Sequence, residues 1–240
     1  MKRTLIRSIG LLALATAGIY PQTLSRRELR HSSGQCAGED CNAVARGFRA
    51  FTENLYAQGA NGRACADCHV PSDHFQLSPS TAEARYRFLL IRRQFDANAD
   101  DPLFRPTDAN AFRTTGAGAS DFTNLRKHAL IRITFPLPSN VRLIDERTGS
   151  ASDETEVDVW RAVPPIANLV LTGPDGQNPF PRGPNNTGGY QRDGRFGSLE
   201  EQARNALKDH AEIKGEPWEG LVEDIASFER TIFSSPQARA

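Results

Sequence analysis

The chain has 240 residues, with 29 Lys and Arg against 29 Asp and Glu, and 38% of it is apolar. A zero formal charge is no footprint for nucleic acid, whose binding rests on clustered cations, and the apolar share suffices for the core of one large domain. Apart from one Gly/Pro-rich loop, no repeat or low-complexity tract divides the sequence.

In chain order, Lys2, Arg3 and Arg7 precede an apolar stretch from Ile9 to Tyr20, and Ala15-Thr16-Ala17 supplies an A-x-A cleavage pattern. Residues 1–17 therefore read as a signal peptide, and the mature protein is expected in the periplasm. The stretch is shorter than the roughly 20 apolar residues of a membrane span; an uncleaved anchor is the alternative. Cleavage after Ala17 removes three cations and no acid, leaving about 223 residues and a formal charge of about −3. Residues 18–40 are read as a flexible segment. Cys36 and Cys41, with four residues between them, predict a small-loop disulfide in an exported chain. The rival reading gathers all four cysteines around zinc.

Val44, Phe48, Phe51 and Leu55 recur at helical spacing, which predicts an amphipathic helix over residues 42–58. It leads into Cys65-Ala66-Asp67-Cys68-His69, the most specific motif of the chain. Cys-x-x-Cys-His is the attachment pattern of a c-type haem, in which two thiols bond the vinyl groups and the histidine reaches the iron. One covalent haem c is expected, held by Cys65, Cys68 and His69. A redox dithiol or half a zinc site is the competing interpretation of the same residues.

The only methionine is Met1, inside the signal, so a thioether sulfur is not available as sixth iron ligand after processing. The remaining histidines are His31, His74, His128 and His210. His31 lies near the processed terminus, and His74 follows the motif too closely to wrap to the opposite face of a haem. His128 and His210 are the candidate distal metal ligands.

Ser80 with Glu83 forms a capping-box pattern before Ala84, Phe88, Ile91 and Phe95, predicting a second helix that ends near Phe95. Ile131, Ile133 and Phe135 alternate with polar residues, as do Val141 and Leu143, which predicts a small hairpin turning at Pro136–Asn140. Residues 172–197 carry seven glycines and four prolines and read as a long loop near the haem edge or a partner surface. Ser198 with Glu201 repeats the capping pattern before Leu199, Ala203 and Leu207, and Pro217 opens a last helix along Leu221, Ile225, Phe228 and Ile232. The expected fold class is mainly α, a cytochrome c-like helical domain over residues 41–240 with long loops and a small hairpin.

Several segments, in order, resemble the N-terminal haem half of the bacterial di-haem cytochrome c peroxidases and the related methylamine dehydrogenase maturation enzymes. They are Asn61-Gly62-Arg63-Ala64-Cys65-Ala66-Asp67-Cys68-His69, Asp101-Pro102-Leu103-Phe104, Val163-Pro164-Pro165-Ile166-Ala167-Asn168-Leu169, Asp193-Gly194-Arg195, Ser198-Leu199-Glu200-Glu201-Gln202-Ala203 and the tail from Ile225 to Phe233. The resemblance implies haem-based reduction of peroxide or oxidation of a substrate, with a small redox donor or acceptor protein as partner and no nucleic acid. It implies that Glu200, Glu201 and Gln202 lie near a peroxide-binding haem, where a carboxylate accepts and returns a proton. It also implies that Arg195, beside Asp193, contacts haem propionates or holds the loop. The chain departs from the family in three places. It has no second Cys-x-x-Cys-His, which leaves a second haem subunit as an expected partner. Glu83, Ala84 and Arg85 stand where the common peroxidases place a distal histidine, and Arg192 stands where a tryptophan often precedes Asp-Gly-Arg. A non-enzymatic mono-haem electron carrier with bis-His iron is the alternative, and a truncated product without independent activity is a third reading.

Overall fold

The computed structural model describes residues 36–110, 120–172 and 189–239. Residues 1–17, read above as a signal peptide, together with His31 and most of residues 18–40 and 172–188, lie outside the described residues. The described chain is mainly helical, with eight α-helices, four short 3₁₀ turns and one two-stranded sheet. Among the described residues, no helix is long and apolar enough to cross a membrane.

Helix α1, Cys41–Thr52, starts where the Asp40 carboxylate accepts hydrogen bonds from the Asn42 and Ala43 amides, both at 3.2 Å. The Cys36–Cys41 disulfide ties the preceding segment to the same turn. The helix is shorter than its apolar stripe predicts. After Thr52 the chain leaves the helical path and resumes as a 3₁₀ turn, Tyr56–Gln58, which carries Leu55 into the core and ends at left-handed Gly59, φ 70°.

Helix α2, Pro79–Arg93, begins two residues earlier than expected. Ser78, not Ser80, is the cap, its Oγ accepting from the Thr81 amide at 3.2 Å, and Pro79 supplies the preset φ of a first helical position. Glu83 does not close a capping box. Its carboxylate instead takes Arg126 at 2.8 Å and Arg87 at 2.9 Å. Short helices α3, Pro106–Ala109, and α4, Thr123–His128, follow.

Strand β1, Leu130–Pro136, pairs antiparallel with β2, Glu156–Ala162, in the register Leu130↔Ala162 to Pro136↔Glu156. The expected partner, residues 141–143, is displaced. Val141 is an exposed turn residue whose amide bonds Pro138 O, while β2 offers Val157, Val159 and Trp160 as pleat neighbours and an Asp158 carboxylate for Arg132. Helix α5, Leu169–Thr172, comes next.

Helix α6, Leu199–Asp209, is capped by Ser198 as expected, with Oγ accepting from Glu201 N at 3.2 Å. The return bond is shifted by one residue, since the Glu201 carboxylate accepts from Gly197 N at 3.0 Å. Helix α7, Leu221–Arg230, starts after left-handed Gly220, not at Pro217, and α8 is Pro236–Arg239.

The core has two main parts. In the first, α1 crosses α7 so closely that a Cβ on Gly47 would lie 1.8 Å from the Asp224 carbonyl oxygen. Phe51 packs edge-on to Phe228 at 5.2 Å there, with Ile225, Leu207 and Ile166 around them. The second part joins Leu89 of α2 with Leu103, Phe104 and Leu125. Cys65 packs against the first and Cys68 against the second, so the motif lies on the seam between them.

Candidate functional site

The approach to the motif is tied to the end of α6. Asn61 N donates to Ala211 O at 2.8 Å, Asn61 Nδ2 donates to His210 O at 3.0 Å, and Lys214 N donates to Gln58 O at 2.8 Å. Residues 149 positions apart in the chain are thereby neighbours.

Cys65–Asp67 forms a 3₁₀ turn. Asp67 closes it by accepting from Ala64 N at 2.8 Å, and His69 N donates to Cys65 O at 2.8 Å. Arg85 braces the turn from behind, donating to Asp67 O at 2.8 Å and to the carboxylates of Asp67 and Asp101. Asp67, between the cysteines, is thus fixed by charge-assisted hydrogen bonds.

His74 and Phe75 both adopt left-handed backbone, φ 57° and 56°. This is an unfavourable geometry for L residues, and here it turns the Phe75 carbonyl towards His69 Nδ1 at 3.2 Å. A carbonyl accepts only, so Nδ1 carries the proton and Nε2 is left with its lone pair. Burial pushes the His69 pKa down to about 4, against the opposing influence of the Phe75 and Pro164 carbonyls, and the ring is neutral at pH 7. A neutral imidazole oriented by a carbonyl is the ligating form of histidine. His74 itself is an exposed loop residue, as its position in the sequence suggested.

Cys65, Cys68 and His69 open onto one cavity of about 710 Å³. Its lining includes the apolar side chains of Ile131, Ile133, Val163 and Ile166 and five arginines, Arg63, Arg132, Arg161, Arg192 and Arg195. The volume falls within the roughly 300–1,000 Å³ of cofactor and ligand sites. As free groups both thiols are far from ionised: burial pushes Cys68 up to about 12 and Cys65 higher still. That argues against a nucleophilic redox dithiol, which needs a lowered pKa. Zinc shared by four cysteines is overturned, because Cys36 and Cys41 are bonded to each other.

The two candidate distal histidines part company. His128 is exposed at the end of α4, among Arg126 and Lys127, and does not line the cavity. It suits the carbonyl end of a helix, where a basic side chain is favoured, so it is not a ligand in this arrangement. His210, at the end of α6, does line the cavity. Its Nδ1 is 2.8 Å from Asp108 Oδ2, and the other Asp108 oxygen is ion-paired with buried Arg63. A charge on His210 would lower the His69 pKa further.

Of the three candidate catalytic residues, only Gln202 lines the cavity. Glu200 is turned away to Arg230 at 2.7 Å, and Glu201 is exposed and spent on the cap of α6. Three successive helical positions cannot face one site, since each step turns the side chain by about 100°. Arg195 lines the cavity, 3.2 Å from Asp193, with its guanidinium over the Phe135 ring at 4.8 Å.

Three cavity residues were not singled out from the sequence. Arg63 and Asp108 form a buried pair: burial works against both charges, yet each partner outweighs it, raising the Arg63 pKa and holding the Asp108 carboxyl below the usual range. No local pattern joins positions 63 and 108. Glu229 had a signal, since Val222, Ile225, Ala226 and Glu229 follow the i, i+3, i+4, i+7 spacing of a buried face.

No protein-family model matches the chain, and no curated protein or solved structure matches it.

Proposed function

We propose that the chain is a periplasmic c-type haem protein with a cytochrome c-like domain over residues 41–240, acting as a peroxidase-like oxidoreductase akin to one haem half of the di-haem peroxidases and maturation enzymes. The observation that carries this reading is the convergence of two thiols and a carbonyl-oriented imidazole on one cavity of about 710 Å³ with apolar and arginine-lined walls. Cys65 and Cys68 would hold the porphyrin by thioether bonds and His69 Nε2 would ligate the iron. Arg195 and the other arginines lining the cavity suit the propionates, since guanidinium pairs with carboxylate in planar, bidentate fashion. The haem would supply reversible one-electron chemistry and a site for peroxide.

The protein's own groups then divide the work. Asp108 fixes Nδ1 of His210, which leaves Nε2 to take a proton from one peroxide oxygen and return it to the other. The Gln202 amide is placed to hydrogen-bond a polar ligand in the cavity. Reduction of hydrogen peroxide to two waters consumes two electrons and two protons, and the electrons come from outside, from a small donor protein or a second haem subunit. The same His210 supports a second reading: bound directly to iron, its Nε2 would make a bis-His electron carrier, with Asp108 as the outer partner such ligands usually have.

A pyridine haemochrome spectrum of protein matured by the haem-attachment machinery tests the cofactor, and colourless protein ends the proposal. The ferric spectrum then separates the readings. High-spin iron that changes on adding peroxide is expected of the enzyme. Low-spin iron that ignores peroxide and cyanide, and turns high-spin in His210→Ala, would establish the carrier.

A further inference from the structure

We propose that Glu229 is a proton acceptor of the cavity, taking up a proton when an electron arrives at the group held there and releasing it when the electron leaves. The inference rests on the haem reading and deepens it, assigning a residue that couples electron and proton.

Glu229 lies in the last turn of α7, 5% exposed, and lines the cavity. Its Oε2 is buried without a hydrogen-bond partner among the described residues. A buried carboxyl oxygen without a partner is costly when ionised, yet Glu229 stands here on the buried stripe of a core helix. It is near enough to Cys65 for its charge to raise that thiol's pKa. A porphyrin attached through Cys65 would therefore bring its edge towards Glu229.

The charged groups around it are few. On its own helix, Arg230 favours the ionised form. From α6, Glu200 disfavours it and is itself ion-paired with Arg230 at 2.7 Å. Glu39, ahead of α1, is 4.0 Å from Arg230. The Cys65 thiol faces it from the 3₁₀ turn, α5 carries no charged residue, and Arg46 of α1 is engaged by Asp224 at 2.6 Å. None of the cavity arginines is among the charged groups that act on Glu229, which are Arg230 and Glu200. Burial, the largest influence, pushes the Glu229 carboxyl up to about 8. An added electron makes its environment more negative and raises it further. Coupling is reciprocal, so protonating Glu229 makes the electron easier to add. When an external one-electron donor delivers an electron to a haem held there, taking its iron from ferric to ferrous, the Glu229 carboxylate would take up one proton from solvent and become the carboxylic acid, so that one electron and one proton arrive together.

The test is potentiometric titration of the full haem-bearing chain, with dithionite, ferricyanide and mediators, from about pH 5 to about pH 10. The wild-type midpoint is expected to fall with pH through a window in which the redox equilibrium changes by up to tenfold per pH unit, about 59 mV for one electron. Glu229→Gln keeps the shape and removes the proton, and it is expected to flatten that window while any propionate contribution survives in both proteins. Equal slopes in wild type and Glu229→Gln would overturn the assignment. If that variant fails to fold, Glu200→Gln serves: loss of a neighbouring negative charge is expected to move the window to lower pH, and an unmoved window overturns the proposal. Absence of haem c in the haemochrome assay defeats the cofactor reading and this one together, whereas a good haemochrome with unchanged slopes defeats this one alone.

Discussion

Asp108 holds two partners at once, a guanidinium that is 3% exposed and the ring nitrogen of His210. Removing its charge leaves Arg63 buried with carbonyls alone, those of Pro102, Leu103, Arg105 and His210. Breaking a buried pair from one side costs about 3–5 kcal/mol. Asp108→Ala is therefore expected to lose about that much in urea denaturation and to free the His210 ring. Glu229 is the opposite case. Its folded pKa lies above the ordinary value of 4.5, near 8, so the folded state holds a proton that the unfolded chain has released. Its contribution is full below about pH 4.5 and is lost as pH rises through about 8, at about 1.4 kcal/mol per unit. Glu229→Gln is expected to be relatively more stable than wild type at pH 8 than at pH 5, measured by denaturation at both values. A difference independent of pH would show the carboxyl to be ionised throughout. Residues of this kind divide sharply in legibility. Cys65, Cys68 and His69 are contiguous and share one turn, and their joint exposure to the cavity follows from spacing alone. Arg63, Asp108 and His210 meet only because the fold brings distant segments together, and no window of sequence contains them.

Among the elements, caps and stripes were legible and partners were not. Ser198 caps α6 as its sequence predicts, because that bond spans three residues. The choice of Ser78 over Ser80 turned on Pro79, which occupies a first helical position without wasting an amide. The strand pairing had no local answer, since β1 chooses between two downstream segments by side-chain packing, and the longer β-branched one wins. The α1–α7 crossing is equally non-local. Gly47 was one glycine among 19, yet its α-carbon lies so close to the Asp224 backbone that a methyl group would meet the Asp224 carbonyl oxygen at 1.8 Å and the Phe228 Cβ at 2.9 Å. Backbone cannot move aside as a flexible side chain does, so Gly47→Ala must separate the two helices and loosen Phe51 from Phe228. Overpacking of this kind costs about 1–3 kcal/mol, and a fall in Tm of several degrees by calorimetry is the expected result. An unchanged Tm would mean that the helices can part freely.

At the scale of the whole molecule, two apolar clusters share a boundary, and the boundary is the cavity wall. Phe51, Ile225 and Ile166 stand on one side with Cys65, and Leu103, Phe104 and Leu125 on the other with Cys68. A group joined to both thiols would be bonded to both halves of the core and would fill about 710 Å³ between them. Its apolar faces would then replace water against Ile131, Val163 and Ile166, and the proposed haem becomes a structural member as well as a reactive one. A ligand present at a thousand times its Kd stabilises a fold by about 4 kcal/mol, which for a domain of this size is about 8–16 °C in Tm. A covalently retained group cannot dissociate at all and should give at least that. Cys65→Ala/Cys68→Ala, exported with its Cys36–Cys41 disulfide intact, is accordingly expected to unfold at least about 8 °C below the matured wild type by circular dichroism. Its transition should also be broader, because the two clusters would keep only the contacts that bypass the cavity. A double variant as stable as the matured protein would mean that the cavity needs no occupant to hold the two halves together.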